Sequence, residues 1–382
     1  MTAFLFVGCA PLDFTNELAE DKDGDGFSFF DGDCNDEDPD DVPEDLDEDG
    51  FTKCDGDCDD LNPNLTPADL DEDGGSSCDG DCDDSDPAYN QSTCPIFVEI
   101  DKGSFKMGSP PNEVRREEDE LLHDVTLTND YFIMDSEVTQ GLYELLTGNN
   151  PSEFEDYGPE YPVEFVNWHT AAAATNAYSD LMGVEQCYDC ESDSGATTCT
   201  PKGSPYECKG YRLPTEAEWE KAARFGTTKS FWTENGGGDL LSILSYDAET
   251  NGDESEDSIH CDPNNTRLSD GSYLSELGWF CANNYAMGND IGYGTKPVRE
   301  LKPNGAGLYD MHGNVFEWVH DSYAEYGTGN QEDPYENDGT AEKVMRGGHW
   351  GYLPADMRAA ARKRQPSTIA YKYAGFRMVR TK

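Results

Sequence analysis

The sequence predicts an α+β domain with little regular secondary structure, carried behind an irregular and strongly acidic repeat segment. Three observations lead there. Charge is unevenly placed: of 80 acidic residues, 31 lie between Asp13 and Asp86, where only Lys22 and Lys53 oppose them. From about Pro95 the composition turns globular, and the 382 residues suffice for two domains, one with a substantial core. Beyond one clear helix ending near Gly226, the chain is rich in Gly, Asn and aromatic residues with few periodic segments, which fits neither a nucleotide-binding parallel sheet nor a bundle.

Residues 1–19 read as a signal remnant and linker. "MTAFLFVGCAP" is an apolar run ending in small Gly8 before Cys9, similar to the end of a bacterial lipoprotein signal with Cys9 as the lipidated residue. The run is far too short to span a bilayer, and no other stretch is a candidate. The expectation is an exported protein of the outer membrane or cell surface, in contact with the membrane only through a lipid anchor. Leaving out Cys9, six cysteines precede residue 95 and six follow it. Even sets of this kind suit disulfides in an oxidising compartment. Nucleic acid is excluded as a partner, because its phosphates would meet a negative surface.

Residues 20–95 hold three 24-residue copies in register: "EDKDGDGFSFFDGDCNDEDPDDVP", "EDLDEDGFTKCDGDCDDLNPNLTP" and "ADLDEDGGSSCDGDCDDSDPAYNQ". Such a segment repels itself and cannot bury enough apolar surface to fold alone, unless divalent cations neutralise it. Hard cations such as calcium take six to eight oxygens, and alternating aspartates around a tight turn closed by glycine supply several from one loop. The candidate ligands are Asp21, Asp23, Asp25, Asp31, Asp33 and Asp36 in the first copy and Asp45, Asp47, Asp49, Asp55, Asp57 and Asp60 in the second. In the third they are Asp69, Asp71, Asp73, Asp79, Asp81 and Asp84. These are not EF-hands, since Gly32, Gly56 and Gly80 stand where the bidentate glutamate would be. The pattern resembles thrombospondin type 3 repeats and the aspartate-rich metal-binding repeats of bacterial surface proteins. A stacked array would pair Cys34 with Cys54, Cys58 with Cys78 and Cys82 with Cys94, though spacing leaves the connectivity open and zinc thiolate sites are the rival. The segment is read as a stiff, calcium-dependent stalk.

Residues 96–382 form the large domain. "IFVEIDKGSFKMGS" alternates like a strand pair joined by a glycine-containing turn. "EVTQGLYELLTG" places Val138, Leu142, Leu145 and Leu146 on one helical face and stops at Gly148. "TAAAATNAYSDLMG" behaves likewise. "YRLPTEAEWEKAARFG" is the clearest helix: Pro214 precedes it, Thr215 and Glu218 form a capping box, and Gly226 follows. Cys187, Cys190, Cys199 and Cys208 are expected to form two disulfides in an insertion, and Cys261 with Cys281 a further pair.

In this order, "GSFKMGS", "EVTQGLYELLTGNNPS", "YPVEFVNWHTAAAATNAYS", "GYRLPTEAEWEKAARFG", "KPVRELKPNGAGLYDMHGNVFEWVHD", "VMRGGHW" and "AGFRMVR" resemble the formylglycine-generating enzyme (sulfatase-modifying factor) family over about residues 98–380. The resemblance implies a C-type-lectin-like fold. It also implies two calcium sites. One maps to Asp310 and Glu317 with the carbonyls of Gly313 and Val315, a set that suits calcium on chemistry alone. The other maps to Asn284, Tyr285, Asp290 and Gly292.

The enzymes of this family oxidise a substrate cysteine with copper held by two cysteines shortly after the R-G-G motif. Soft Cu(I) needs thiolates. Here the segment is "RGGHWGYLPADMRAAAR", with His349 in place of a small hydroxyl residue, and no cysteine follows Cys281. No copper is expected. His312, His320 and His349 lie on three separate motifs, and lone histidines are more often packing residues than iron ligands. The reading is therefore a calcium-stabilised binding module for a protein, peptide or glycan. Its candidate ligand contacts are His349, Tyr352, Tyr371, Lys372 and Tyr373, because aromatics with a few polar groups make good contact surfaces, while Trp350 is expected in the core. The same stretch carries the varied residues in lectin-like receptors of diversity-generating retroelements. The alternative is a metal-dependent oxidase of the same family with non-standard ligands.

Overall fold

The computed structural model describes residues 93–382 apart from 194, 242–266, 285–292, 338 and 340, and before them short pieces between residues 21 and 76. The chain divides into two compact units, Met1–Cys94 and Pro95–Lys382.

In the first unit, Cys34 and Cys54 are joined with their Cα atoms 5.5 Å apart, the pairing expected of the stacked repeats. Gly50, which closes the second aspartate loop, has φ 105° and its N–H donates to Asp45 Oδ2 at 2.9 Å. In the first loop Gly24, at φ 86°, donates to Asp21 Oδ1 at 2.6 Å. Glycine is needed at such angles because a Cβ would be strained there. Cys94 is disulfide-bonded; the expected Cys58–Cys78 pair lies outside the described residues.

The second unit begins with β1 (Phe97–Ile100) and β2 (Gly103–Met107), followed by β3 (His123–Leu127) and β4 (Tyr131–Met134). The two expected strands form, but they do not pair with each other. β1 pairs β4 with Phe97 opposite Met134, and β2 pairs β3 with Met107 opposite His123. Residues 97–107 and 123–134 are thus the two arms of one antiparallel ribbon. Its bend falls at Lys102, whose N–H donates to Asp130 Oδ1 at 2.8 Å, and at Gly103, at φ 134°. The glycine bends the chain instead of turning it back.

Three helices follow the sequence signals. α1 (Gln140–Thr147) is capped by the Thr139 side chain and ends at Gly148, at φ 75°. α2 (Trp168–Leu181) starts with a reciprocal Asn167–Thr170 capping box. After the hairpin β5 (Tyr188–Asp193) and β6 (Ala196–Pro201) and the short β7 (Tyr211–Arg212), α3 (Glu216–Arg224) carries the expected Thr215–Glu218 box. The hairpin is stapled by Cys190–Cys199, and Cys187–Cys208 closes the insertion. Cys281 opens the four-residue α4 (Cys281–Asn284) and is disulfide-bonded.

The remaining strands are β8 (Phe316–Ser322), β9 (Gln331–Glu332), β10 (Glu342–Arg346), β11 (Lys363–Pro366), β12 (Ala374–Gly375) and β13 (Val379–Thr381). One sheet has the order β1-β4-β13-β7, a second β11-β10-β8-β12 and a third β2-β3-β9. Two tryptophans join α2 to β8: Trp168 Nε1 donates to Val319 O at 2.8 Å, and Trp318 Nε1 to Val166 O at 3.0 Å.

Loops this extensive need partners for their backbone groups, and buried arginines supply many. Arg358 holds Glu113 and Glu120 and donates to Arg115 O at 2.7 Å. Arg224 pairs with Glu220 and reaches Gly108 O at 2.8 Å. Arg362 forks onto Glu216 and caps Asp119 O at 3.1 Å. Each guanidinium fixes a carboxylate and a distant loop at once.

Candidate functional site

The segment after the R-G-G motif is built on a rigid floor. Arg346 donates to Glu216 at 2.6 Å and to Glu220 at 2.7 Å, with no solvent exposure of its own. Gly347 and Gly348 follow at φ 91° and 80°, and a Cβ on Gly348 would lie 2.6 Å from Met357 Cγ. The motif is stitched to the Asp310–Glu317 loop by Gly313 N to Gly347 O and Trp350 N to Asn314 O, both 2.8 Å.

On this floor His349 is sandwiched between aromatic rings, 4.0 Å from Tyr373 and 4.2 Å from Tyr352. It is 2% exposed, so it lies beneath the tyrosine face and supports it. Burial, followed by the charges of Lys372 and Lys363, drives its pKa down to about 3. Gly351 N–H donates to Nδ1 at 3.0 Å, which leaves the ring proton of the neutral imidazole on Nε2. Trp350 is core, as expected, against Tyr293, Tyr373 and Phe154. Tyr352, Tyr371, Lys372 and Tyr373 are half-buried. Lys363 Nζ lies 5.6 Å over Tyr352, and Lys372 Nζ lies 5.0 Å over Tyr373. Lys363, unnoticed in the sequence, also lines a cavity of about 160 Å³ with Arg115, Glu117, Leu353, Ala355 and Asp356.

The three histidines stay apart in their contacts. His312 Nδ1 donates to Met357 O at 2.8 Å beside Phe231, and His320 Nδ1 meets the Tyr188 hydroxyl at 3.1 Å. Among the described residues no three His, Cys, Asp or Glu side chains gather as a metal site.

A calcium ion at the Asp310–Glu317 loop would therefore draw on carbonyls and water as well, as the family ligand set implies. Asp310 fits one, whereas Glu317, the other expected carboxylate ligand, is already held: both its oxygens accept from Arg377 at 2.7 Å and Oε2 also from Trp219 Nε1 at 2.8 Å. Asp310 Oδ1 and Glu137 Oε1 are buried without a hydrogen-bond partner. Burial raises the pKa of Asp310 to about 6, and burial with the charges of Asp310 and Glu317 raises that of Glu137 well above the carboxylate range. A cation would relieve both. Glu137 carries no sequence signal for this role, since it comes from the start of a helix segment far along the chain. In the stalk, Asp45 Oδ1 is likewise buried without a partner. Asp55 Oδ2 instead accepts from Thr52 Oγ1 at 2.9 Å. Asp21, Asp23 and Asp69 are described; Asp25, Asp31, Asp33, Asp36, Asp47, Asp49, Asp57, Asp60, Asp71, Asp73, Asp79, Asp81 and Asp84 lie outside the described residues, as do Cys9, Tyr285, Asp290 and Gly292.

Fold and site together define a formylglycine-generating-enzyme-like domain in which Tyr352 and Tyr373 stack on His349 after the R-G-G motif. The profile of the sulfatase-modifying factor enzyme 1-like domain matches residues 83–382, and the chain belongs to that family. Chaperone protein LppX of Paenibacillus barcinonensis is 30% identical over 247 residues, which are 59% of this chain and 71% of that protein. The formylglycine-generating enzyme of Mycobacterium tuberculosis is 32% identical over 190 residues, 44% of this chain and 51% of the enzyme. The chain thus spans about half the length of that enzyme. Among solved structures, Treponema denticola variable protein 1 superposes with a TM-score of 0.55 at 25% identity, covering 75% of this chain and 95% of that one. PvdO from Pseudomonas aeruginosa gives 0.52 at 24% identity, over 76% and 95% of the two chains, and supports the fold.

Proposed function

We propose that this is an exported, lipid-anchored surface protein whose calcium-bound stalk presents a formylglycine-generating-enzyme-like domain acting as a binding module. The observation that carries this reading is the state of the cysteines. All eight described ones, Cys34, Cys54, Cys94, Cys187, Cys190, Cys199, Cys208 and Cys281, are in disulfides. None follows Cys281 in the sequence, so the groove segment offers no thiolate for Cu(I). Tyrosines and lysines stand there instead, an amphipathic and rigid contact surface for a peptide or glycan.

The test is metal analysis of the purified chain together with oxygen uptake on a cysteine-containing peptide supplied with Cu(I). Calcium alone and no oxygen uptake is the expected result. Stoichiometric copper or iron with thiol-dependent oxygen consumption would establish the oxidase reading instead.

A further inference from the structure

We propose that the cavity lined by Arg115 and Lys363 binds a small aliphatic α-amino acid as its zwitterion. The cavity adjoins the tyrosine face, since Lys363 Nζ lies 5.6 Å over Tyr352, but it is a separate site that stands whatever that face binds. It encloses about 160 Å³, and every residue lining it is described. A cavity of about 150 Å³ holds benzene, so this one has room for a ligand body of about six heavy atoms.

Part of the lining is saturated. Arg358 donates to Ala355 O at 2.8 Å and to Glu113, Glu120 and Arg115 O at 2.7 Å, which uses every N–H it has. Arg362 is held by Glu216, Asp119 O and Ala324 O. Both oxygens of Glu120 accept from Arg358, and Oε2 also accepts from Ser109 Oγ at 2.7 Å. These three side chains form a fixed wall and leave no charge for a ligand.

The other charged groups are unsaturated, and they are balanced. Arg115 is exposed, and its guanidinium makes no ion pair or hydrogen bond among the described residues. Its backbone holds a left-handed φ of 63°, a costly conformation for a long side chain, kept here by Arg358 on its carbonyl. Lys363 uses one of its N–H groups on Asp356 Oδ1 at 2.8 Å, in a partly exposed and therefore weak pair. Glu117 is exposed and has no side-chain partner among the described residues. Two cations and two carboxylates thus surround the apolar Leu353, Ala355 and Ala361. A simple carboxylate would lie against Glu117, and a simple amine would lie against Arg115. A ligand carrying both charges on one carbon satisfies the set, with its carboxylate on Arg115 and Lys363 and its ammonium on Glu117. Its aliphatic side chain then covers the three apolar residues.

Isothermal titration calorimetry on the full-length chain tests this with three matched probes: L-valine, isovalerate, which lacks the ammonium, and isobutylamine, which lacks the carboxylate. Valine should bind saturably at one site per chain, and each of the other two at least about tenfold more weakly. R115Q and E117Q change exposed side chains outside the buried Arg358 frame, and each should weaken valine binding about tenfold. The comparison of probes on the wild-type chain needs no variant to fold. A valine titration that stays flat to about 10 mM would overturn the proposal, as would isovalerate or isobutylamine binding as well as valine, or wild-type affinity in either variant.

Discussion

Arg377 grips Glu317 through two parallel bonds, Nε to Oε2 and Nη2 to Oε1, both 2.7 Å, and neither side chain is exposed. Trp219 Nε1 donates to the same Oε2 at 2.8 Å, and Arg377 also reaches Met134 O at 3.1 Å and Tyr309 O at 3.0 Å. One guanidinium therefore ties the C-terminal segment, the first sheet, α3 and β8 together. R377M would leave a buried carboxylate without its cation, a loss of about 3–5 kcal/mol. The R377M/E317Q double variant should recover part of it. Urea unfolding of the wild type and the two variants gives the answer, and a cost below about 1 kcal/mol for R377M would refute the anchoring role.

Calcium at the Asp310 loop predicts a dependence localised to the second unit. All six tryptophans lie there, so tryptophan fluorescence reports its unfolding separately from the stalk. Excess calcium, at about 100 times its Kd, would add roughly 2.7 kcal/mol of stability to the wild-type chain. D310A should abolish that increment and also lower stability in chelator by about 1–2 kcal/mol, because Arg299 N–H loses the Oδ2 it donates to at 2.9 Å and alanine is strained at the φ of 57° held by Asp310. An equal calcium increment in D310A would place the ion elsewhere.

The tyrosine face predicts an unusual histidine. With Tyr373 stacked at 4.0 Å and little solvent access, His349 should remain neutral from pH 5 to 8. Y373A opens one side of the sandwich, and the imidazole pKa should then climb from about 3 toward the ordinary histidine range. Histidine ring NMR signals followed against pH would show it. If no new titration appears in Y373A, the tyrosine does not shield the ring.

Local features were the legible part of this protein. The Thr215–Glu218 box sits three residues apart, and Gly148 and Gly50 stand where only the backbone angle matters, so each signal is complete within a few residues. The β1–β4 and β2–β3 pairing was hidden because alternation reports that a strand exists and not which strand faces it. The arginine framework was hidden for a related reason. Arg358 and Glu120 are 238 residues apart, and either charge alone reads as a solvated surface residue. The same blindness applied to the site: "RGGHW" marked the floor, while Lys363 enters from a segment with no motif of its own and Glu137 opens the "EVTQGLYELLTGNNPS" motif, which read only as a helix. His349 looked like a contact residue because its flanks are aromatic, and those flanks are what cover it.

Glu164 predicts how stability varies with pH. Its Oε1 accepts from Phe154 N at 3.0 Å, its Oε2 is buried without a partner, and burial lifts its pKa to about 7 against the opposing pull of the Phe154 and Glu153 N–H groups. The folded chain thus holds this proton more tightly than the unfolded chain. For an acid raised in this way, the stabilising contribution is fully present below the unfolded value near 4.5 and is lost as pH rises through about 7. E164Q keeps an oxygen for Phe154 N–H and has no proton to lose. Between pH 4.5 and 8 the wild-type chain should therefore lose on the order of 2 kcal/mol relative to E164Q. Urea unfolding of both chains at the two ends of that range measures the change, and a gap that stays constant with pH would show that Glu164 ionises as freely in the fold as out of it.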